Sequence, residues 1–173
     1  MTKSDKRWYI AFVKSCQERK TAEALSRMGV ESYIPLVREI HQWSDRKKVV
    51  FRLLIPHLIF VRTDELERRK LLEEVYGMYA YMMDRCTGRP AIVRDQEMDA
   101  LMAMVEHSGQ PVELHTEPLE PGDRVRVLGG PLKDMEYELV RISGRRCIAV
   151  RLDGLGLAMV EFSMENLQKI QDQ

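Results

Sequence analysis

Cysteine is scarce in this 173-residue chain: Cys16, Cys86 and Cys147 stand far apart, with no C-x-x-C pair among them. That spacing excludes a disulfide framework or a zinc ribbon and points to reduced thiols. No run approaches the roughly 20 uninterrupted apolar residues of a membrane-spanning helix. The opening Met-Thr-Lys-Ser-Asp-Lys-Arg lacks the apolar core of a signal peptide. The expected location is therefore the cytoplasm, with no membrane partner. Catalytic signatures are missing too. The four histidines, His41, His57, His107 and His115, pair neither with each other nor with the cysteines at metal-ligand spacing. There is no Gly-rich phosphate loop, no G-x-S-x-G and no H-E-x-x-H. A non-enzymatic protein without metal or cofactor is expected.

What is present is an ordinary globular composition, 45% apolar and 31% charged, in a chain long enough for one large or two small domains. Net charge is zero but unevenly spread. Residues 1–107 hold 19 basic against 16 acidic side chains, and residues 108–173 hold 8 against 11, so the parts carry +3 and −3. Two basic clusters stand out, Arg46-Lys47-Lys48 and Arg68-Arg69-Lys70. On charge alone each reads as a solvated turn or helix face.

The most apolar stretch is Leu53 to Val61, interrupted only by Pro56-His57. Its composition predicts a strand from His57 to Arg62, of the kind buried on both faces, with Pro56 at the entrance because proline cannot donate to a ladder. Leu58 and Phe60 then share one face, Ile59 and Val61 the other; one face fills a core and the other is expected to serve as a docking surface. Before it, Arg7 to Val13 has no polar face and reads as a central strand. Ser15 and Glu18 match a capping box, so a helix should begin at Cys16 and stop at Gly29. Val30 to His41 reads as one strand with a bulge or edge at Pro35, and Val49 to Leu54 as its partner, making a hairpin with the basic cluster at its tip. Asp64 should cap a helix to about Val75, with Leu66, Leu71, Leu72 and Val75 buried. Met78 to Met83 and Ala91-Ile92-Val93 are strand-like, and a helix follows from about Asp95 to Glu106 on Met98, Leu101, Met102 and Val105.

Residues 107–118, with Gly109, Pro111 and Pro118, read as a linker. Beyond it, short strands alternate with tight turns: 124–128, 137–142, 147–152 and 157–162. Four or five such strands in about 50 residues predict a small barrel. The fold class is α+β: an antiparallel sheet flanked by helices, followed by a small SH3-like β-barrel.

Several stretches in order resemble the NusG-type transcription elongation factors: Trp8-Tyr9, the Pro56-centred strand, Arg89-Pro90-Ala91-Ile92-Val93, and Pro121-Gly122-Asp123-Arg124-Val125-Arg126-Val127 with Gly130-Pro131. Gln42-Trp43-Ser44-Asp45-Arg46-Lys47-Lys48 is most similar to the UpxY branch of antitermination paralogues. The resemblance implies an NGN-like RNA polymerase-binding domain over residues 1–107, a linker at 108–118 and a KOW-like barrel over 119–173. It further implies a non-catalytic regulator that reduces pausing or termination at specific operons such as capsular polysaccharide loci.

Carried onto this sequence, the resemblance places the contact with the clamp helices of polymerase's largest subunit at Phe12, Leu58 and Phe60. It also places Lys14 near non-template DNA or nascent RNA; by their chemistry Arg19, Lys20, Arg46, Lys47 and Lys48 would supply neighbouring phosphate contacts, with Trp43 as a stacking platform beside them. The KOW domain would take a ribosomal or regulatory protein. Arg68-Arg69-Lys70 falls where a relative touches the opposite, gate-loop side. Two departures from the family pattern are visible: His57-Leu58 follows Pro56 where Gly or Asn and an aromatic are usual, and Tyr137 stands where the KOW signature has glycine. The alternative is a KOW-containing RNA-binding protein acting in translation, which the neutral net charge opposes, since an rRNA binder should be strongly basic.

Overall fold

A computed structural model describes residues 5–171. Its internal contacts divide the chain into two units, one holding the described residues through Pro35 with Ile55–Asp95, the other Leu36–Leu54 and the described residues from Gln96 onward.

The first unit is built on an antiparallel sheet of β1 (Arg7–Val13), β2 (Glu31–Tyr33), β5 (Leu58–Thr63), β6 (Met78–Tyr81) and β7 (Ile92–Val93). The order is β2-β5-β1-β6, with β7 also pairing β1. The two apolar strands are thus neighbours in the middle of the sheet, where a strand with no polar face belongs. On one face Tyr9, Ala11, Val13, Ile59 and Val61 form a single core with Leu25 of α1 (Glu18–Arg27) and Leu71 of α2 (Glu65–Glu74). Asp64 caps α2 as its sequence predicts, accepting from the Leu66 and Glu67 amides. Leu66, expected in the buried stripe, is 74% exposed; five residues before buried Leu71, it lies about 140° round the helix from it.

The capping box at Ser15 does not form. The Ser15 hydroxyl lies near the Cys16 thiol, Cys16 adopts φ 62°, and α1 starts at Glu18 behind Gln17, which makes no side-chain cap. Glu18 is instead buried and turned to another task, described below. Pro35 also does more than bulge a strand. It separates β2 from β3 (Leu36–Gln42), which leaves the sheet and pairs only with β4 (Lys47–Leu53) as a two-stranded ribbon.

The second unit contains that ribbon, most of α3 (Asp95–His107) and a six-stranded antiparallel sheet. The strands are β8 (Glu113–His115), β9 (Asp123–Val127), β10 (Glu136–Ile142), β11 (Arg145–Leu152), β12 (Gly156–Glu161) and β13 (Leu167–Lys169), in the order β13-β9-β10-β11-β12-β8. This is the barrel-like arrangement that the short alternating strands predict. The stretch read as a linker contributes β8, because Leu114 pairs opposite Ala158. In α3 the buried positions are Met98, Ala100, Leu101 and Met104, one step round from the expected Met102 and Val105. Tyr137 is buried in β10, and its hydroxyl donates to the Ala100 carbonyl of α3 at 3.1 Å. The left-handed turn of this segment falls to Asp134, at φ 67°.

Gly122 shows why the Pro-Gly-Asp turn needs its glycine. A Cβ there would stand 1.8 Å from the Leu139 carbonyl oxygen. The Gly122 amide donates to Glu138 Oε1 at 2.8 Å, and Arg151 grips the same carboxylate at 2.6 and 3.1 Å. Burial pushes the Glu138 carboxyl up, but the Arg151 and Gly122 hydrogen bonds outweigh it and hold the group below its ordinary range. Gly122→Ala should therefore force the β9 and β10 backbones apart and cost about 1–3 kcal/mol, read as a lowered midpoint in thermal unfolding; an unchanged midpoint would contradict the close approach.

Candidate functional site

Phe12, Leu58 and Phe60 fall on one face of the first sheet, the one opposite α1 and α2. The register fixes this: Phe12 is directly across from Leu58, and Ile10 from Phe60. Directly opposed side chains on an antiparallel pair lie about 4.5–5.5 Å apart at Cβ. The structure therefore brings the three together, but not as an open surface. Leu58 is 3% exposed and Phe60 fully buried, with the Tyr33 ring 6.4 Å away. The exposure expected of them is a correction: on a central strand with apolar residues on both sides, both faces are covered. Phe12 alone of the three is half-buried. It stacks on Tyr79, centroids 6.1 Å apart and planes 21° from parallel. The β1–β6 register shifts between Phe12 and Val13, an irregularity of the kind that re-aims side chains at a strand end.

The turn that aims Leu58 at Phe12 is held from two sides. His57 sits at φ 64°, a conformation that costs a non-glycine residue about 1–3 kcal/mol. Its carbonyl accepts from the Val13 amide at 2.9 Å, and its own amide donates to Oε1 of buried Glu18 at 3.0 Å. The His57 imidazole Nδ1 lies 3.8 Å from the same oxygen. Glu18 thus anchors the Pro56-His57 turn rather than capping α1.

The basic residues form two separate groups. In the first unit Lys14, Arg19 and Lys20 are exposed, and Lys14 Nζ stands 4.5 Å from the centre of the Tyr76 ring. In the second unit Trp43, Arg46, Lys47 and Lys48 crowd the ribbon turn, closed by a Trp43 amide to Arg46 carbonyl bond. Trp43 is 57% exposed, with Lys48 Nζ 6.0 Å from its ring. A wet aromatic face beside cations is what stacking on a single-stranded nucleic acid requires. Arg68 belongs to neither group. Only 12% exposed, it is paired with Glu65 and lies over the rings of Tyr9 and Tyr81 at 5.6 and 5.5 Å, with the Tyr81 hydroxyl on its carbonyl. The Arg68-Arg69-Lys70 cluster is thus partly a packing device.

Sequence reasoning missed Tyr76 and Tyr79, 77% and 58% exposed, beside Lys14 and Phe12 respectively. The available signal was Gly77 between them. At φ 107° it turns the chain into β6, and a Cβ there would meet the Thr21 hydroxyl at 2.7 Å. Among the described residues no group of three or more His, Cys, Asp or Glu side chains could hold a metal ion, and no helix is long and apolar enough to cross a membrane.

Comparison with known proteins follows the same lines. The NusG family profile, described as transcription termination factor NusG, matches residues 6–102. No curated protein matches the chain. Among solved structures, Thermotoga maritima NusG, in a study of its domain interaction, is 22% identical with a TM-score of 0.48, covering 96% of this chain and 98% of that one. A chain of the MjSpt4:Spt5 complex, conformation B, is 13% identical with a TM-score of 0.32, covering 95% of this chain and 97% of that one. Both scores are below 0.5, and the assignment rests on the profile match across more than half of the residues: the chain belongs to the NusG family of transcription factors.

Proposed function

We propose that this protein is a cytoplasmic bacterial regulator of the UpxY type, which rides on elongating RNA polymerase and suppresses pausing or termination at specific operons such as capsular polysaccharide loci. The observation that carries the reading is the Phe12–Leu58 pair, set by register at one end of a sheet whose family membership is shown. Phe12, with exposed Tyr79 against it, is the part that meets the clamp helices, because it is a half-buried aromatic on a rigid strand and so buries area at little ordering cost. Leu58 and Phe60 act beneath it as support.

In this reading residues 1–107 are the polymerase-binding domain, 108–118 the linker and 119–173 the KOW domain, which takes a ribosomal or regulatory protein. Lys14, Arg19 and Lys20 meet phosphates of the non-template strand or nascent RNA, and Trp43 with Arg46, Lys47 and Lys48 contributes a second contact. Each cation adds little alone, and the set makes recruitment salt-dependent. In single-round transcription with purified bacterial polymerase, saturating protein should raise read-through of a pause-linked terminator in its own leader region about threefold or more, a barrier change of roughly 0.7 kcal/mol. Read-through identical with and without the protein, on that leader and on a control template, would overturn the assignment.

A further inference from the structure

The β3–β4 ribbon leaves three large apolar side chains facing water. Both strands pair only with each other. The register sets Arg38 opposite Phe51, Ile40 opposite Val49 and Gln42 opposite Lys47, so these six share one face. On it Ile40, Val49 and Phe51 are 64%, 43% and 55% exposed. The other face carries buried Val37 and half-buried Val50, with Glu39 held by Arg52 and His41 and Lys48 further along. A solvent face of a sheet is ordinarily the polar one. Here three large apolar residues sit on adjacent cross-strand positions facing water, on a two-stranded ribbon that is marginal by itself. Such a contiguous patch marks an interaction surface.

Charge identifies the occupant. Arg38 and Lys47 lie on the apolar face at either end of the stripe, and Arg46 and Lys48 flank the turn. From Leu36 to Leu53 there are five basic residues against Glu39 and Asp45, and Arg52 already answers Glu39. Two copies of such a face repel each other. A nucleic acid would satisfy the cations and leave Ile40 and Val49 uncovered. We propose that this face docks an acidic amphipathic helix of a protein partner, its apolar side on Ile40, Val49 and Phe51 and its carboxylates on Arg38 and Lys47. The seven-residue strands span about 24 Å, the length of a helix of about 16 residues. The mode is that of a helix laid by its apolar face on a complementary surface. The inference stands on the ribbon alone and survives if the polymerase reading fails.

The test titrates the full-length protein, by fluorescence anisotropy, with a synthetic helical peptide of about 16 residues bearing leucine on one side and glutamate on the other. A scrambled peptide of the same composition and an oligo-dT strand are run beside it. The amphipathic peptide should bind about tenfold tighter than the scrambled one, a difference of about 1.4 kcal/mol. Phe51→Asp should remove that advantage, as should Ile40→Thr, which keeps the strand preference of the site. Lys47→Glu should weaken binding less and flatten its salt dependence. Equal binding of both peptides, full affinity in folded Phe51→Asp and Ile40→Thr, binding of oligo-dT that Phe51→Asp abolishes, or self-association that Phe51→Asp abolishes would each overturn the proposal.

Discussion

Phe60→Ala is expected to destabilise the protein by about 3–5 kcal/mol, the range for removing a fully buried phenylalanine. Phe60 has no exposed surface, lies across from Ile10 in the centre of the sheet and has the Tyr33 ring against it. The loss combines the transfer of the missing ring with the cavity left behind, which a central strand paired on both edges cannot collapse to fill. Urea unfolding followed by circular dichroism measures it. A loss under about 1 kcal/mol would mean that the site relaxes, and that Phe60 is not the support on which the neighbouring Phe12–Leu58 pair rests.

Phe12→Asp should behave in the opposite way. Phe12 lies near the end of β1, half-buried, where the register shifts, so an aspartate there can reach water and the fold should survive. At a docking surface the same change removes an aromatic anchor and places a charge where it would be desolvated. Anchors of this kind are worth about 2–4 kcal/mol, so affinity for polymerase should fall on the order of a hundredfold, about 2.7 kcal/mol. The two substitutions therefore separate what holds the sheet from what the sheet offers: one moves stability, the other binding.

Much of this was legible in the residues. The unbroken apolar character of Arg7–Val13 and Leu58–Val61 announced central strands, and Asp64 and Gly29 marked helix ends because capping and left-handed geometry are local properties. The strict alternation of Arg124-Val125-Arg126-Val127 is realised with both valines buried and both arginines outward on Glu136. What failed depended on distant partners. Ser15 and Glu18 have the spacing of a capping box, yet Glu18 is drawn away by an amide 39 residues on, at His57. The apolar run of β5 already matched a strand covered on both faces, but the family resemblance was given more weight, so Leu58 and Phe60 read as surface when they are interior. Arg68 looked like one of a basic run, and only the fold reveals the two tyrosine rings beneath it. Leu114 carries no strand signal of its own; β12 supplies the pairing.

Binding to purified bacterial core RNA polymerase, measured by co-sedimentation with wild-type and Phe12→Asp protein at equal folded concentration, tests most directly whether this sheet grips the transcription machinery. Wild-type protein co-migrating with polymerase while folded Phe12→Asp stays free is the predicted result. Equal co-migration of the two, or none by either, would contradict it.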